Sequence, residues 1–468
     1  MTSTSIAWLR TDLRIADNPA LSAAAKAGER VIALYIHEDT PGVRPPGAAA
    51  RWWIHNSLVS LSADLAERGI ELVVHSGPSE KAVLAAVEEF KSEAVFWNRR
   101  YAPGECAVDA RIKDDLKHRG VTVESFAAHV LVEPWDIATL QGKPYSVFTP
   151  FWKALQDKVI PQPLHRPDAR KSIKASAIDA GYSTPHWAEK LAPYWRIGEA
   201  AAQQALDDFL ADKVDDYPEG RDIPGRDATS RLSPHLRHGE ISPRQVWHTA
   251  MAEAHAHPAK AEKIKKFLSE LAWRDFNYHQ LFHRPDITTQ PMQPKYAGMD
   301  WRDPGAALAA WQRGQTGLPI VDAGMRQLWA TGYMQNRVRM LVASLLAKNL
   351  LIDWRLGEQW YWDCLVDGDV ASNPGNWQWV AGSGLDASPY FRIFNPVTQG
   401  ERFDGDGQYV RHWVPELAKL PDKFIHEPAE APADVLKAAG VVLDKAYPRP
   451  IVDLKLSRTR ALEAAKGL

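Results

Sequence analysis

Cysteine is nearly missing from this chain, with 2 in 468 residues. That excludes a disulfide scaffold and any cysteine-rich metal or iron–sulfur site. No apolar run approaches the roughly 18 residues of a membrane span, so none is expected. The start, MTSTSIAWLRTDLR, has no apolar stretch behind a basic one, so no secretory leader is expected and the address is a reducing cytoplasm. An excess of one charge is lacking too: 56 basic against 58 acidic side chains leave a formal charge of -2. Glycine, at 29, and proline, at 33, stay at ordinary levels, which excludes collagen-like order and pervasive disorder. One glycine absence is local. After the candidate strand Ile6–Leu9 the chain reads LRTDLRIADNPAL, without the G-x-G-x-x-G turn that lets a pyrophosphate approach the backbone. A P-loop lysine motif is absent as well, and a nicotinamide-dependent dehydrogenase is disfavoured.

What is present is tryptophan, 19 residues, mostly in the second half. These serve packing first, and stacking on a flat ligand or an electron relay second. At roughly 150 residues per domain the length fits two to three domains. Short apolar runs at Ile6–Leu9, Val31–Ile36, Glu71–Val74, Ala94–Trp97 and Val121–Ser125 alternate with helical patterns at Ala50–Arg68, Ser79–Phe90 and Ala107–Arg119. Strands separated by such helices predict an α/β, doubly wound parallel-sheet domain over residues 1–130. Residues 131–197 are Pro-rich and weakly periodic, and read as an interdomain linker. Residues 198–468 carry helical periodicity at Gly198–Val214, Ser242–His255, Ala259–Phe282, Pro304–Gln312, Ala323–Thr331, Gln335–Lys348 and Glu358–Leu365, and predict an all-α domain.

Four constellations could carry chemistry. In DATSRLSPHLRHGEISPRQVW, Ser233-Pro234 and Ser242-Pro243 are two helix starts with capping hydroxyls. Thr229, Ser230 and Arg231 crowd ahead of the first, and suit a phosphate. On the helix FLSELAWRDFNYHQLF, Glu270, Trp273, Arg274 and Asn277 share one face, while Phe267 and Leu271 lie on a core stripe. An exposed Trp amid Glu, Arg and Asn suits a flat ligand better than solvent. On GYMQNRVRMLVASLLAKNLL, Asn336, Arg339 and Met340 fall nearly on one side. Downstream, Asp367 and Asp369 bracket a glycine and Asn373 follows in a loop. Such a turn is ordinarily solvated; if buried, its carboxylate needs a cation such as Arg339. The surroundings imply no metal. Trp377 and Trp379, about 200° apart on a helix, would face different environments.

Taken together, WLRTDLRIADNPAL, TSRLSPHL, ELAWRDF, GLPIVDAGMRQLWATGYMQNRVRM, LIDWRLGEQWYWDCLVDGD and NPGNWQWVAGSGLDASPYFRIFNP resemble, in order and over essentially the whole chain, the signature blocks of the DNA photolyase/cryptochrome family. The likeness is strongest to a class I-type cyclobutane pyrimidine dimer photolyase. It implies an N-terminal antenna domain, a linker and a helical domain that binds FAD. By resemblance, Tyr217 and the run Thr229, Ser230, Arg231, Leu232 and Ser233 contact the FAD phosphates, and Phe267, Glu270, Arg274, Asn336, Arg339, Asp367, Gly368, Asp369 and Asn373 complete the cofactor site. Asn373 takes the position facing the reactive flavin nitrogen. Trp377, Trp354 and Trp301 match a relay carrying electrons from the surface, and Trp273 and Trp379 would wall a flipped-out dimer whose thymine edges meet Glu270.

The same resemblance puts Asn277, Asn336, Arg337, Met340 and Arg392 with the DNA contacts, with Lys263, Lys265 and Lys266 as looser candidates. The partner implied is ultraviolet-damaged DNA, double- or single-stranded, bound by a monomer through a local basic face. An antenna chromophore is implied too. Glu105 falls near the folate-binding acid of relatives while Gly104 replaces a neighbouring Asn, which leans to methenyltetrahydrofolate. Asn336 and Met340 stand where six-four enzymes carry histidines, and no long polar tail of the signalling cryptochrome kind follows the last helices, so dimer repair is favoured. Gln335 in place of a common His, and Phe267 where relatives carry Trp or Gln, depart from the pattern. The alternatives are a cryptochrome-type blue-light photoreceptor, a six-four photolyase and, outside the family, a flavin electron-transfer protein acting without light.

Overall fold

The structure is a computed structural model that describes residues 3–178, 182–386 and 389–466. Its five strands are β1 (Thr4–Leu9), β2 (Arg30–Glu38), β3 (Glu71–Gly77), β4 (Ala94–Asn98) and β5 (Thr122–Phe126). They form one sheet in the order β3-β2-β1-β4-β5. Every pairing is parallel, and in the central strand Ile6 sits opposite both Ile32 and Val95. Both faces are covered, which is why the strands read as apolar runs rather than alternations. Helices α1 (Pro19–Ala27), α2 (Ala48–Glu67), α3 (Ser79–Phe90) and α4 (Pro103–His118) separate the strands. One face buries Leu21, Leu58 and Leu61 against Ala7 and Ala33. The other buries Val83, Ile112 and Leu116 against Ile6 and Trp97. α1, which follows the first strand-to-helix turn, is short and Ala-rich, and Asn18 caps it by accepting from the Leu21 N–H.

By internal contacts the chain divides into two units, Met1–Val214 with Ser230–Pro285, and Asp215–Thr229 with Asp286–Leu468. The first adds to the sheet α5 (Phe148–Gln156), α6 (Glu199–Asp208), α8 (Ser233–His238), α9 (Pro243–Ala256) and α10 (Ala261–His283). α5 lies inside the stretch expected to be irregular. Its Phe148, Phe151 and Leu155 are buried, and that packing fixes a helix the periodicity left faint. The second unit holds α7 (Tyr217–Gly220) and α11 (Gly305–Arg313), α12 (Pro319–Thr331), α13 (Asn336–Ser344), α14 (Trp354–Cys364), α15 (Ser372–Ala381), α16 (Pro396–Phe403), α17 (Gln408–Trp413), α18 (Ala433–Ala439) and α19 (Leu454–Lys466). No described helix is long and apolar enough to cross a membrane.

Of the two expected caps, Ser242 is one: its hydroxyl accepts from the Gln245 N–H at 3.0 Å while the Gln245 side chain accepts from the Ser242 N–H. Ser233 is not. α8 begins at Ser233 itself and has no side-chain cap. α8 ends at Gly239, with φ +73, where an added Cβ would fall 2.0 Å from the Thr11 carbonyl oxygen. A Gly239→Ala variant combines left-handed strain with this overlap, and its thermal unfolding midpoint should fall by the equivalent of at least about 2 kcal/mol; an unchanged midpoint would show that the β1–α1 loop gives way freely.

Candidate functional site

In the second unit, α13, α14 and α15 bring the expected residues together. Arg339 donates to both oxygens of Asp367, at 3.2 and 2.9 Å, and through Nε to the Met334 carbonyl at 2.6 Å. Burial alone would lower the guanidinium's pKa, but Asp367, Tyr333 and Tyr361 together raise it, so the Arg339 guanidinium stays charged. Asp367, Gly368 and Asp369 are all buried, so this D-G-D turn is not the solvated one such sequences ordinarily make. Asp369 accepts from the N–H groups of Ala371 and Ser372, at 3.0 and 2.7 Å, and so starts α15.

Asn373 lies inside α15 and not in a loop as expected. Pro374 and Gly375 hid the helix, but a proline in the first turn lacks only an N–H that has no intrahelical partner anyway. Its amide nitrogen donates to the carbonyl and the carboxylate of Glu358, at 3.0 and 2.8 Å, so its oxygen faces away from Glu358. Glu358 is buried and was missed; nothing in its local sequence marks it. Gln335 caps α13 by accepting from the Val338 N–H, and donates to the Arg221 carbonyl. Asn336 is exposed and Met340 half-buried. Arg337 is drawn to Asp222 at 2.7 Å and lies over the Phe403 ring.

The three tryptophans expected to form a relay contribute to one apolar core, Trp377 and Trp354 buried and Trp301 partly exposed. Trp377 packs edge-on against Tyr361, with centroids 5.0 Å apart. Gly357 makes room for it, since a Cβ there would lie 2.2 Å from the indole. Trp379 is half-buried, so the two neighbours do face different environments. Tyr217 is buried in α7 under the Arg221 guanidinium, Thr229 precedes the unit boundary, and Arg392 is exposed.

The first unit holds the α10 residues. Phe267 and Leu271 are buried as expected, with Phe267 against Phe209 at 4.6 Å. Trp273 is not the exposed ring expected: it stacks on Phe148 of α5 at 3.8 Å with 9° between planes. Arg274 donates to the His129 carbonyl at 2.5 Å and to its Nε2 at 2.7 Å. Burial first, and then Arg274, hold the imidazole well below its usual pKa, so it is neutral and accepts. Glu270 pairs with Lys266 at 3.0 Å, Asn277 is buried, and Lys263 and Lys265 lie on the preceding turns. Ahead of α8, Arg231 takes φ +53 and its guanidinium lies over Trp195, with Ser230 and Leu232 either side and Ser233 opening the helix.

At the carboxyl ends of the strands, the α1 amino terminus is filled from within. The Asn18 side chain accepts from Leu21 and the Asn98 side chain from Ala20, leaving no cradle for a pyrophosphate. Beside it, Arg100 bridges Glu38 at 2.5 Å and Asp109 at 2.7 Å. Glu105 lies half-buried nearby and accepts from the Ala102 N–H; burial pushes its carboxyl up against the pull of Arg100. A Cβ on Gly104 would sit 1.9 Å from the Gly42 carbonyl oxygen, so the Asn of relatives has no room here. Among the described residues no cluster of His, Cys, Asp and Glu could hold a metal.

A parallel-sheet domain without a dinucleotide turn, followed by helices carrying a buried arginine–carboxylate pair and a fixed amide, defines a protein whose ligand chemistry resides in its helical half. Residues 5–171 match the DNA photolyase family and residues 267–467 the FAD binding domain of DNA photolyase. The chain is 50% identical over 471 residues to a deoxyribodipyrimidine photo-lyase of Agrobacterium fabrum, covering 99% of this chain and 98% of that one. It superposes with TM-score 0.94 and 48% identity on a class III photolyase from Agrobacterium tumefaciens, covering 100% and 98% of the two chains. With an archaeal photolyase from Sulfolobus tokodaii, solved with two FAD molecules, the TM-score is 0.82 at 30% identity, covering 99% and 100%. The chain belongs to the DNA photolyase/cryptochrome family. The class I-type likeness gains no support from these relatives, one of which is class III.

The donor set fits a flavin: a charged guanidinium, an amide with one oxygen to offer and two buried carboxylates can meet a heterocycle whose edge alternates donors and acceptors. Asp367→Asn leaves Arg339 buried opposite a neutral amide, and should cost roughly 3 kcal/mol of stability. Less than half of the purified variant should retain FAD by absorbance; full occupancy with an unchanged melting temperature would remove the pair from the site.

Proposed function

We propose that the protein is a light-driven DNA-repair lyase that splits cyclobutane pyrimidine dimers. The observation that carries this is the Arg339–Asp367 pair together with the Glu358-held Asn373 amide, inside a segment that matches an FAD binding domain. When bound and reduced, FAD supplies one electron under blue or near-ultraviolet light and receives it back after the ring's two carbon–carbon bonds break. The chain's own part is to bind, orient and exclude water. Asp367 and Asp369 hold the turn, and Asn373, with both amide hydrogens on Glu358, presents an acceptor to the flavin nitrogen. Glu270, Trp273, Arg274, Asn277, Asn336, Met340 and Trp379 form the dimer contacts in this reading. A dimer is already poorly stacked, so extruding it costs less than flipping a sound base pair. Arg337 and Arg392 meet phosphates. Tyr217 and the Thr229–Ser233 segment hold the FAD phosphates, and Trp377, Trp354 and Trp301 relay electrons inward. The shared core, with Trp377 and Trp354 buried and Trp301 partly exposed, supports that relay.

For the domains, we assign residues 1–130 to the antenna, 131–197 to the linker and 198–468 to catalysis; the order of the two family matches, 5–171 and then 267–467, supports an antenna half followed by a catalytic half. The antenna ligand in this reading is methenyltetrahydrofolate, supported by the charged cluster of Glu105, Arg100 and Glu38 at the carboxyl ends of the strands. A cytoplasmic address fits Cys106 and Cys364, which form no disulfide.

Photoreduced protein mixed with ultraviolet-irradiated oligothymidine should restore thymine absorbance under blue light and not in the dark, and Glu270→Ala should cut the yield at least about tenfold. No recovery despite bound, reducible FAD would favour a six-four enzyme or a cryptochrome. Trp377→Phe should slow photoreduction more than about tenfold, while chemically prereduced variant repairs at the wild-type rate. Loss of repair in the prereduced variant would take Trp377 out of the relay and into the dimer site.

A further inference from the structure

Among the described residues Lys348 is a buried lysine that pairs with no carboxylate. Its residue is 1% exposed, among the largest fully buried side chains of the protein, in a π-helical turn at Leu345–Asn349 that follows α13. A buried ammonium is costly unless something holds it. Here Nζ donates to the Arg392 carbonyl at 3.0 Å and lies 5.2 Å over the Tyr390 ring. One turn earlier on the same helix, the Ser344 hydroxyl accepts from the Phe394 N–H at 3.3 Å. The two side chains, at i and i+4, thus grip the backbone at 392 and 394 from below. Between 389 and 395 the chain has no helix or strand of its own, and it carries Phe391, 66% exposed, beside the exposed Arg392. An apolar ring next to a guanidinium is the pairing that wedges a base step while meeting a phosphate.

We propose that Lys348 is a positioning residue for damaged DNA: with Ser344 it fixes the Phe391–Arg392 segment in the posture that engages the strand beside the lesion. This rests on the reading of Arg392 as a DNA contact. The groups facing Lys348 are Arg392 and Tyr390 on the segment, Tyr296 stacked on Tyr390, and Arg460 on α19, which donates to the Asn349 carbonyl. Arg355 and Glu358 of α14 are engaged by Asp353 and Asn373. Burial first, then the Arg392 charge, lower the Lys348 ammonium to about 7. The charged form that grips the carbonyl is therefore full at pH 6 and lost as pH rises through 7. In the unfolded chain the lysine stays charged to its ordinary value of 10.5, so its burial costs most stability below pH 7.

The test is the dark affinity of the FAD-loaded protein for ultraviolet-irradiated oligothymidine, by fluorescence anisotropy, for wild type, Arg392→Ala, Lys348→Met and Ser344→Ala. Lys348→Met should weaken binding about tenfold at pH 6, and the ratio to wild type should shrink toward one at pH 8.5. FAD content should not change, and the variant should melt no lower than wild type, with its advantage largest below pH 7. Ser344→Ala should weaken binding several-fold at every pH, and stands in if Lys348→Met does not fold. Wild-type affinity in Lys348→Met at pH 6, with Arg392→Ala weakened, overturns the positioning role. Wild-type affinity in Arg392→Ala overturns the contact reading beneath it.

Discussion

A carboxylate buried as deeply as Asp367 is costly without a facing cation, and Arg339 meets it with two hydrogen bonds. The helical half is organised around that requirement. Arg339 is itself held to the Met334 carbonyl at the foot of α13, so the ion pair fixes how α13 meets the turn before α15. Asp369, one glycine further on, then starts α15, and α15 delivers Asn373 and Trp377. Glu358, on α14, closes the arrangement by taking both hydrogens of the Asn373 amide. Arg339 and Asn373 are thus each oriented by a carboxylate behind them, and Asp369 by the backbone of the α15 start. A cofactor that is to be excited and returned unchanged gains from surroundings that do not rearrange.

The sheet domain applies the same rule to a different end. Asp17 is fully buried and meets Arg244 and the Ser242 hydroxyl. Buried Glu240 takes the Trp53 indole N–H, the Gly198 N–H and His235. In a doubly wound fold the first strand-to-helix turn is where a phosphate ordinarily sits. Here Asn18 and Asn98 occupy the helix N–H groups, so the position is structural. The glycine-free turn LRTDLRIADNPAL thus has its helix N–H groups engaged by side chains of the domain itself.

Much of this could be read in the sequence, and the failures have physical causes. The inner strands β1, β2 and β4 were legible because strands covered on both faces must be apolar throughout. Long amphipathic helices such as α10 were legible by their period. α15 was not, since Pro374 and Gly375 look like a breaker until Asp369 and the packing of Trp377 are seen to sustain the helix. α5 was lost for a related reason: its three buried residues sit in Pro-rich surroundings, and only tertiary contact makes it a helix. Within the candidate site, Arg339 with Asp367 could be anticipated from the cost of burying a carboxylate. Glu358, His129, Asp222 and Phe148 could not, because a side chain that orients another carries no mark in its own neighbourhood.

The tryptophans show how one residue type serves two demands. Trp8, Trp53, Trp97, Trp311 and Trp354 are fully buried, so part of the unusual count is packing. A relay needs more than burial, because electrons must also be able to enter from solvent. Of the three expected relay positions, two are sealed in the core and Trp301 is partly exposed. The core that stabilises the helical half is then also the medium through which charge would move. A rigid, densely packed interior suits both, since a ring held in one posture reorganises little when it gains or loses an electron. Gly357 serves the same packing: by removing a side chain it lets α14 close on the Trp377 ring, and so holds in one posture the ring proposed as the innermost member of the relay.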